Sequence, residues 1–129
     1  MSIILKKEDV NDNLEKVLYD YVCTLNSLLS FLEDNNFDIK LIGFVFEIRD
    51  KWEEAFDISC FKDCCEGYKE LYDNLSIKKL MEETRDIYKE VGRIAFNKIR
   101  NKEIIRDKVK FEFEYLSVMN SINKYFDNI

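Results

Sequence analysis

Proline, histidine and glycine are the residue types that this sequence lacks or nearly lacks. It has no proline, no histidine and only three glycines. Because these turn-forming residues are so scarce, the sequence favours long helices with short connections over a sheet with many tight turns. The absence of histidine removes the usual general base near neutral pH, every catalytic triad that depends on histidine and most catalytic zinc sites.

Long uncharged apolar segments are also missing. The apolar run at residues 3–5 is far too short for a signal peptide. No later stretch approaches the roughly 18 apolar residues that a membrane helix needs. We therefore expect no membrane association and a cytoplasmic location, in a cell or in an infected host cell.

The four cysteines do not follow the spacing of a metal site. They lack the C-x-x-C pattern that makes zinc predictions strong, and in a reducing compartment we expect free, partly buried thiols. A disulfide between two adjacent cysteines would be strained. No cofactor is expected. The cysteines are Cys23, Cys60, Cys64 and Cys65.

Apolar residues recur at helical spacing along most of the 129 residues. The pattern predicts an all-α fold, a compact bundle of four to five mostly antiparallel helices in one domain spanning residues 1–129, with more than roughly two-thirds of the chain helical. Residues 39–48 are rich in β-branched and aromatic residues, so a strand is the alternative there, but we favour a helix. The predicted helices span about 8–34, 39–56, 59–74, 77–100 and 102–125.

Two polar residues and six apolar ones give this fold its testable details. Asp38 and Ser76 each precede a predicted helix and are expected to cap it. The fourth and fifth helices could be continuous, since nothing at Asn101 forces a break. The predicted core includes Leu18, Leu25, Trp52, Ile87, Val91 and Leu116.

Two acidic motifs stand on different predicted helices. Glu53-Glu54-x-x-Asp57 and Glu82-Glu83-x-x-Asp86 each place carboxylates on one helix face. The pair resembles the motifs of the all-α MazG-like nucleotide pyrophosphatases, E-E-x-x-E and E-x-x-D, although the first motif here ends in Asp. The resemblance implies a magnesium site made by Glu53, Glu54, Asp57, Glu83 and Asp86. The alternative interpretation is a solvated acidic helix face.

A basic stripe is the second charged feature. Four residues spaced by four follow one another across the predicted boundary of the last two helices: Lys98, Lys102, Arg106 and Lys110. Such a stripe could bind the phosphates of a nucleic acid. The net charge of −6 opposes general nucleic-acid affinity, so the alternative is a solvated face that pairs with the acidic half of the chain.

Aromatic residues lie among the acidic ones on the second and third predicted helices. Phe44 and Phe46 belong to this group, and exposed aromatic side chains commonly anchor protein interfaces. An acidic surface with such anchors would suit a basic partner. The residues that we expect to contact the partner, if exposed, are Trp52, Glu53, Glu54, Tyr68 and Tyr72.

These observations favour a binding protein over an enzyme. We predict a non-enzymatic protein–protein interaction module, such as a virus- or phage-encoded inhibitor or a bacterial immunity protein. Its partner is another protein, with a homodimer as an alternative, because a surface polarised by charge can also drive self-association. A nucleic-acid-associated protein and a magnesium-dependent nucleotide pyrophosphatase are the competing hypotheses.

Overall fold

The computed structural model describes residues 14–103 and 106–128. Of these residues 83% are helical, and none lies in a strand, which confirms the predicted all-α bundle. The helices of the described ranges are α1 (Leu14–Asp34), α2 (Ile39–Phe61), α3 (Tyr68–Asp73), α4 (Ile77–Arg100) and α5 (Lys108–Asp127).

The four long helices pack as antiparallel neighbours. The beginning of α1 meets the end of α2, where Tyr19 contacts Phe56, and α2 then packs against α4 and α4 against α5. Phe31 near the end of α1 stacks on Phe111 near the start of α5, with ring centroids 4.3 Å apart. These contacts give an up-down-up-down four-helix arrangement, and α3 is a short helix within the α2–α4 connection.

Both predicted N-caps are present. The Asp38 carboxylate accepts a hydrogen bond from the Lys40 amide at 2.8 Å, and the Ser76 hydroxyl accepts one from the Lys79 amide at 3.2 Å. These bonds satisfy amide groups that have no partner within the helix. Residues 39–48 are helical, as favoured. The predicted start of the first helix at residue 8 lies outside the described residues.

The predicted third helix, residues 59–74, is wrong over its first half. α2 continues to Phe61, the chain then turns, and only Tyr68–Asp73 is helical. The reason lies at Gly67, whose φ of 88° is in the left-handed region. Glycine adopts this conformation without the steric penalty that a Cβ brings, so the turn falls there.

The fourth and fifth helices are also separate. α4 ends at Arg100, and Lys102 and Asp107 both have positive φ, at 60° and 56°. A continuous helix cannot contain such residues, because left-handed backbone breaks the right-handed helical path. Residues 104 and 105 in this connection lie outside the described ranges.

Four of the six residues predicted for the core are fully buried: Leu18, Leu25, Trp52 and Val91. Ile87 is half-buried and packs at the edge of the core. The prediction of a core position for Leu116 is wrong, because this side chain is 66% exposed. α5 has apolar residues on two faces, and the face that turns inward carries Phe111, Val118, Ile122 and Tyr125 instead.

The second apolar face of α5 remains in solvent. Val109, Phe113 and Leu116 follow a spacing of four and three, so they lie along one side of the helix, and all are exposed. Within the described residues no helix is both long enough and apolar enough to span a membrane.

Candidate functional site

The outer sides of α2 and α4 form a groove along the bundle surface. Two depressions, of about 350 and 310 Å³, adjoin each other there, and both are lined by Lys51 and Glu83. They are therefore two halves of one surface feature, which we call the α2–α4 groove. The groove has the size range in which proteins commonly hold ligands or partner side chains.

The larger half lies where α3 joins the two long helices. The Gly67 turn directs the chain into α3, and α3 contributes Leu71, which is half exposed, to one wall. Ser76, the cap of α4, lies at the same end. The remaining residues of this half are Glu54, Ile58, Asn74, Leu75, Lys79 and Leu80.

The smaller half has an apolar floor and a charged rim. Ile48 and Ile87 line its floor, and Phe44, which is 56% exposed, stands beside them. Glu47 and Asp86 complete its rim. An exposed phenyl ring next to buried Ile48 and half-buried Ile87 is an apolar surface that a partner side chain can cover.

Negative charge predominates in the groove. Four carboxylates, those of Glu47, Glu54, Glu83 and Asp86, line it together with only two lysines. One of these lysines, Lys51, is paired with Glu83 across the boundary of the two halves, with Nζ and Oε2 2.8 Å apart. The groove therefore attracts cationic groups, because Glu47, Glu54 and Asp86 outnumber the remaining lysine, Lys79.

The residues predicted to contact a partner fall into different environments. Trp52 is fully buried, stacks on Tyr21 at 4.4 Å and donates a hydrogen bond from Nε1 to the Thr84 hydroxyl at 2.8 Å. Trp52 therefore belongs to the core, and it is not one of the side chains that a partner can contact at the surface. Its spacing on α2 continues the buried row that includes Val45 and Ile48.

The other four predicted contact residues are accessible. Glu54 is exposed and lines the groove, whereas exposed Glu53 is paired with Arg49 one turn earlier at 3.2 Å. Tyr68 and Tyr72 are half-buried on α3: Tyr68 packs edge-on against Phe61, and the Lys62 ammonium lies 4.4 Å from the centre of the Tyr72 ring. Only Glu54 of the five residues lines the groove.

The five carboxylates of the MazG-like motifs do not assemble. Glu53 is bound by Arg49 and Glu83 by Lys51, so each lies in a separate ion pair. Throughout the described ranges, no three or more His, Cys, Asp or Glu side chains converge closely enough to hold a metal ion. The set Glu53, Glu54, Asp57, Glu83 and Asp86 is therefore corrected from a metal cluster to surface carboxylates, three of which line the groove.

The predicted basic stripe is interrupted. Its four residues do not share one regular helix, because α4 ends before Lys102 and α5 begins after Arg106. Lys98 lies 5.6 Å from the centre of the Phe37 ring, and the Arg106 carbonyl accepts a bond from Asn35 at 3.2 Å. Lys102, Arg106 and Lys110 are exposed, so positive charge collects around the α4–α5 connection rather than along a helix.

The cysteines are less buried than expected. Cys23 is half-buried, but Cys60, Cys64 and Cys65 are exposed free thiols. The expectation of partly buried thiols rested on the general preference of free cysteine for buried positions in a reducing compartment. The turn after Phe61 places this segment at the surface instead.

Part of the groove could not be predicted from the sequence. Leu71 joins it because the turn at Gly67 begins α3, and Leu75 joins it from the short connection between α3 and α4. The one local signal was that Gly67 stands among polar residues between two apolar runs, which is typical of a helix break.

Comparisons with known proteins do not extend this description. None of the protein-family models matches the chain. Searches of curated proteins and of solved structures returned no match either.

Proposed function

We propose that this chain is a non-enzymatic interaction module that binds an apolar, positively charged segment of another protein in the α2–α4 groove. The observation that carries the proposal is the continuity of the two depressions, which share Lys51 and Glu83 and together run along two antiparallel helices. A long groove between helices is a common receptor for an amphipathic helix, whose apolar face lies in the groove.

The apolar part of the groove would supply most of the affinity. Phe44 and Leu71 are both about half exposed, one in each half of the groove, and would become buried by a partner. Burial of large apolar side chains near the centre of an interface typically dominates the binding energy. Ile48 and Ile58, already buried, form a floor that needs no rearrangement.

The charged rim would supply selectivity and rapid association. Glu47 and Asp86 flank the half that contains Phe44, and Glu54 lies in the half that contains Leu71. Carboxylates at both ends favour a partner with lysine or arginine on either side of its apolar face. Complementary charge of this kind raises the association rate and disfavours acidic competitors.

Photo-crosslinking tests the proposal in extracts of the cells that make the protein. A photoreactive amino acid replaces Phe44, Leu71 or, as the matched control, Leu116, an exposed apolar residue outside the groove. We expect one and the same protein to be captured at positions 44 and 71 and not at position 116. In a purified complex, Glu54→Gln and Asp86→Gln should then slow association, and added salt should reduce the difference.

Two other outcomes contradict the proposal. If position 116 captures a second copy and the groove captures nothing, the protein is a homodimer that associates through α5. If nucleic acid is retained at physiological salt, the basic α4–α5 connection is the functional surface. Charge reversal of Lys98, Lys102, Arg106 and Lys110 should then abolish binding and reduce its salt dependence.

A further inference from the structure

Three of the four cysteines lie close together in sequence, where α2 ends and the connection to α3 begins. Cys60 is in the last turn of α2, and Cys64 and Cys65 follow in the connection to α3. All three are exposed free thiols. Cysteine is among the most frequently buried residue types, so three exposed thiols in one short segment are not explained by packing.

The backbone holds the two adjacent thiols side by side. The Cys64 and Cys65 amides both donate to the Phe61 carbonyl, at 3.2 and 3.1 Å, and the Cys65 carbonyl accepts from the Tyr68 amide at 3.2 Å. Their sulfur atoms are 3.7 Å apart. The turn therefore orients both thiols in the same direction without a contribution from the core.

The charges around the pair favour a cation. Asp63 and Glu66 flank the two cysteines in the sequence. The hydrogen bond between the thiols, followed by desolvation and the neighbouring charges of Cys65 and Asp63, raises the pKa of Cys64.

We propose that Cys64 and Cys65 form a binding site for a soft, low-coordinate metal ion of the Cu(I) class. Thiolates are the preferred ligands of Cu(I). Binding would convert one Cu(I) ion and two thiols into a bis-thiolate complex and release two protons, with no change of oxidation state.

The number of protein ligands distinguishes this proposed site from a zinc site. Structural zinc sites use four protein ligands, whereas no group of three or more metal-ligating side chains occurs in the part of the chain that the structure describes. The Cys64 sulfur is paired with that of Cys65, whereas Cys60 lies in the last turn of α2. Two ligands are therefore available, and two are sufficient for Cu(I).

Anaerobic titration with Cu(I) against a coloured chelator tests the site. The intact protein should bind one Cu(I) ion, and Cys64→Ser and Cys65→Ser should each weaken binding by roughly 100-fold or more, since chelation multiplies affinity by about 10²–10⁴. Cys60→Ser is the matched control and should bind like the unmodified protein. Far-ultraviolet circular dichroism should show the same helical content in all three variants, because these side chains are exposed.

Thiol labelling gives an independent readout. With Cu(I) bound, iodoacetamide should modify Cys60 and leave Cys64 and Cys65 unmodified, as measured by mass spectrometry of peptides. Equal labelling of all three thiols would overturn the proposal. So would equal loss of affinity in all three variants, or no loss in Cys64→Ser, because the ion would then be held elsewhere or only loosely at the surface.

Discussion

The inner and outer faces of α2 show how one helix serves two purposes. The inner face buries a continuous row that includes Val45, Trp52 and Ala55 against α1 and α4. The outer face exposes Phe44 and lines the groove with Lys51 and Glu54. Both faces contain large apolar residues, so only their packing distinguishes the residues that stabilise the fold from those free to bind.

The polar contacts of the two faces differ in the same way. On the inner side the buried Thr84 hydroxyl accepts from Trp52 and donates to the Leu80 carbonyl at 2.7 Å. On the outer side the Lys51–Glu83 pair is partly exposed. A buried hydrogen bond is costly to break and an exposed ion pair is not, so substitutions on the two faces should separate stability from binding.

Trp52→Ala should have the largest effect on stability. Removal of a fully buried tryptophan leaves a cavity and is expected to lower the free energy of unfolding by about 3–5 kcal/mol. Unfolding in urea, followed by circular dichroism, measures the change. Tyr21, which stacks on Trp52, would lose its main aromatic neighbour.

Phe44→Ala is the control for the outer face. Phe44 is 56% exposed, and its truncation should change the free energy of unfolding by less than about 0.5 kcal/mol. The comparison would fail if both substitutions destabilised the protein to a similar extent, because the outer face would then contribute to the core.

Alkaline pH should weaken the inner side of the bundle through two buried tyrosines. Burial raises the pKa of Tyr21 and of Tyr88 far above the ordinary value of 10.0. The unfolded chain ionises these phenols near pH 10, and the folded chain does not. The contribution of these tyrosines to the free energy of unfolding is therefore complete below about pH 10. Above that pH it falls by about 1.4 kcal/mol per pH unit for each tyrosine.

Tyr21→Phe isolates this contribution. Without the phenol, the variant should lose stability less steeply than the unmodified protein when urea unfolding is compared at about pH 9, 10 and 11. The two proteins differ only in the Tyr21 hydroxyl, so the difference between the two slopes belongs to Tyr21. Identical slopes would show that Tyr21 ionises in the folded state.

The sequence predicts the inner faces better than the outer ones. Leu18, Leu25 and Val91 follow from helical spacing, and Asp38 and Ser76 from capping preferences. Leu116 was misplaced because two stripes on α5 fit the same periodicity, and only packing selects between them. The groove was predicted only in part, through Glu54, because the wall that contains Leu71 depends on the turn that begins α3.

Thr84→Val should destabilise the protein less than Trp52→Ala. The substitution keeps the shape of the side chain but leaves the Trp52 Nε1–H group buried without its acceptor, which is expected to cost about 1–3 kcal/mol. Thr84→Ser is the matched control, because it retains the hydroxyl and removes one methyl group, worth about 0.8 kcal/mol. If serine costs as much as valine, packing rather than the hydrogen bond explains the role of Thr84.

Lys51→Met should have the smallest effect on stability and a clear effect on binding. The Lys51–Glu83 pair is partly exposed, so its loss should change the free energy of unfolding by less than about 1 kcal/mol. Without the lysine, Glu83 faces the groove as a free carboxylate and the groove becomes more negative. A cationic partner should therefore bind Lys51→Met more tightly and Glu83→Gln more weakly than the unmodified protein, as measured by calorimetry at low and high salt. The opposite order would mean that the groove selects an acidic segment, and the charge of the proposed partner would have to be reversed.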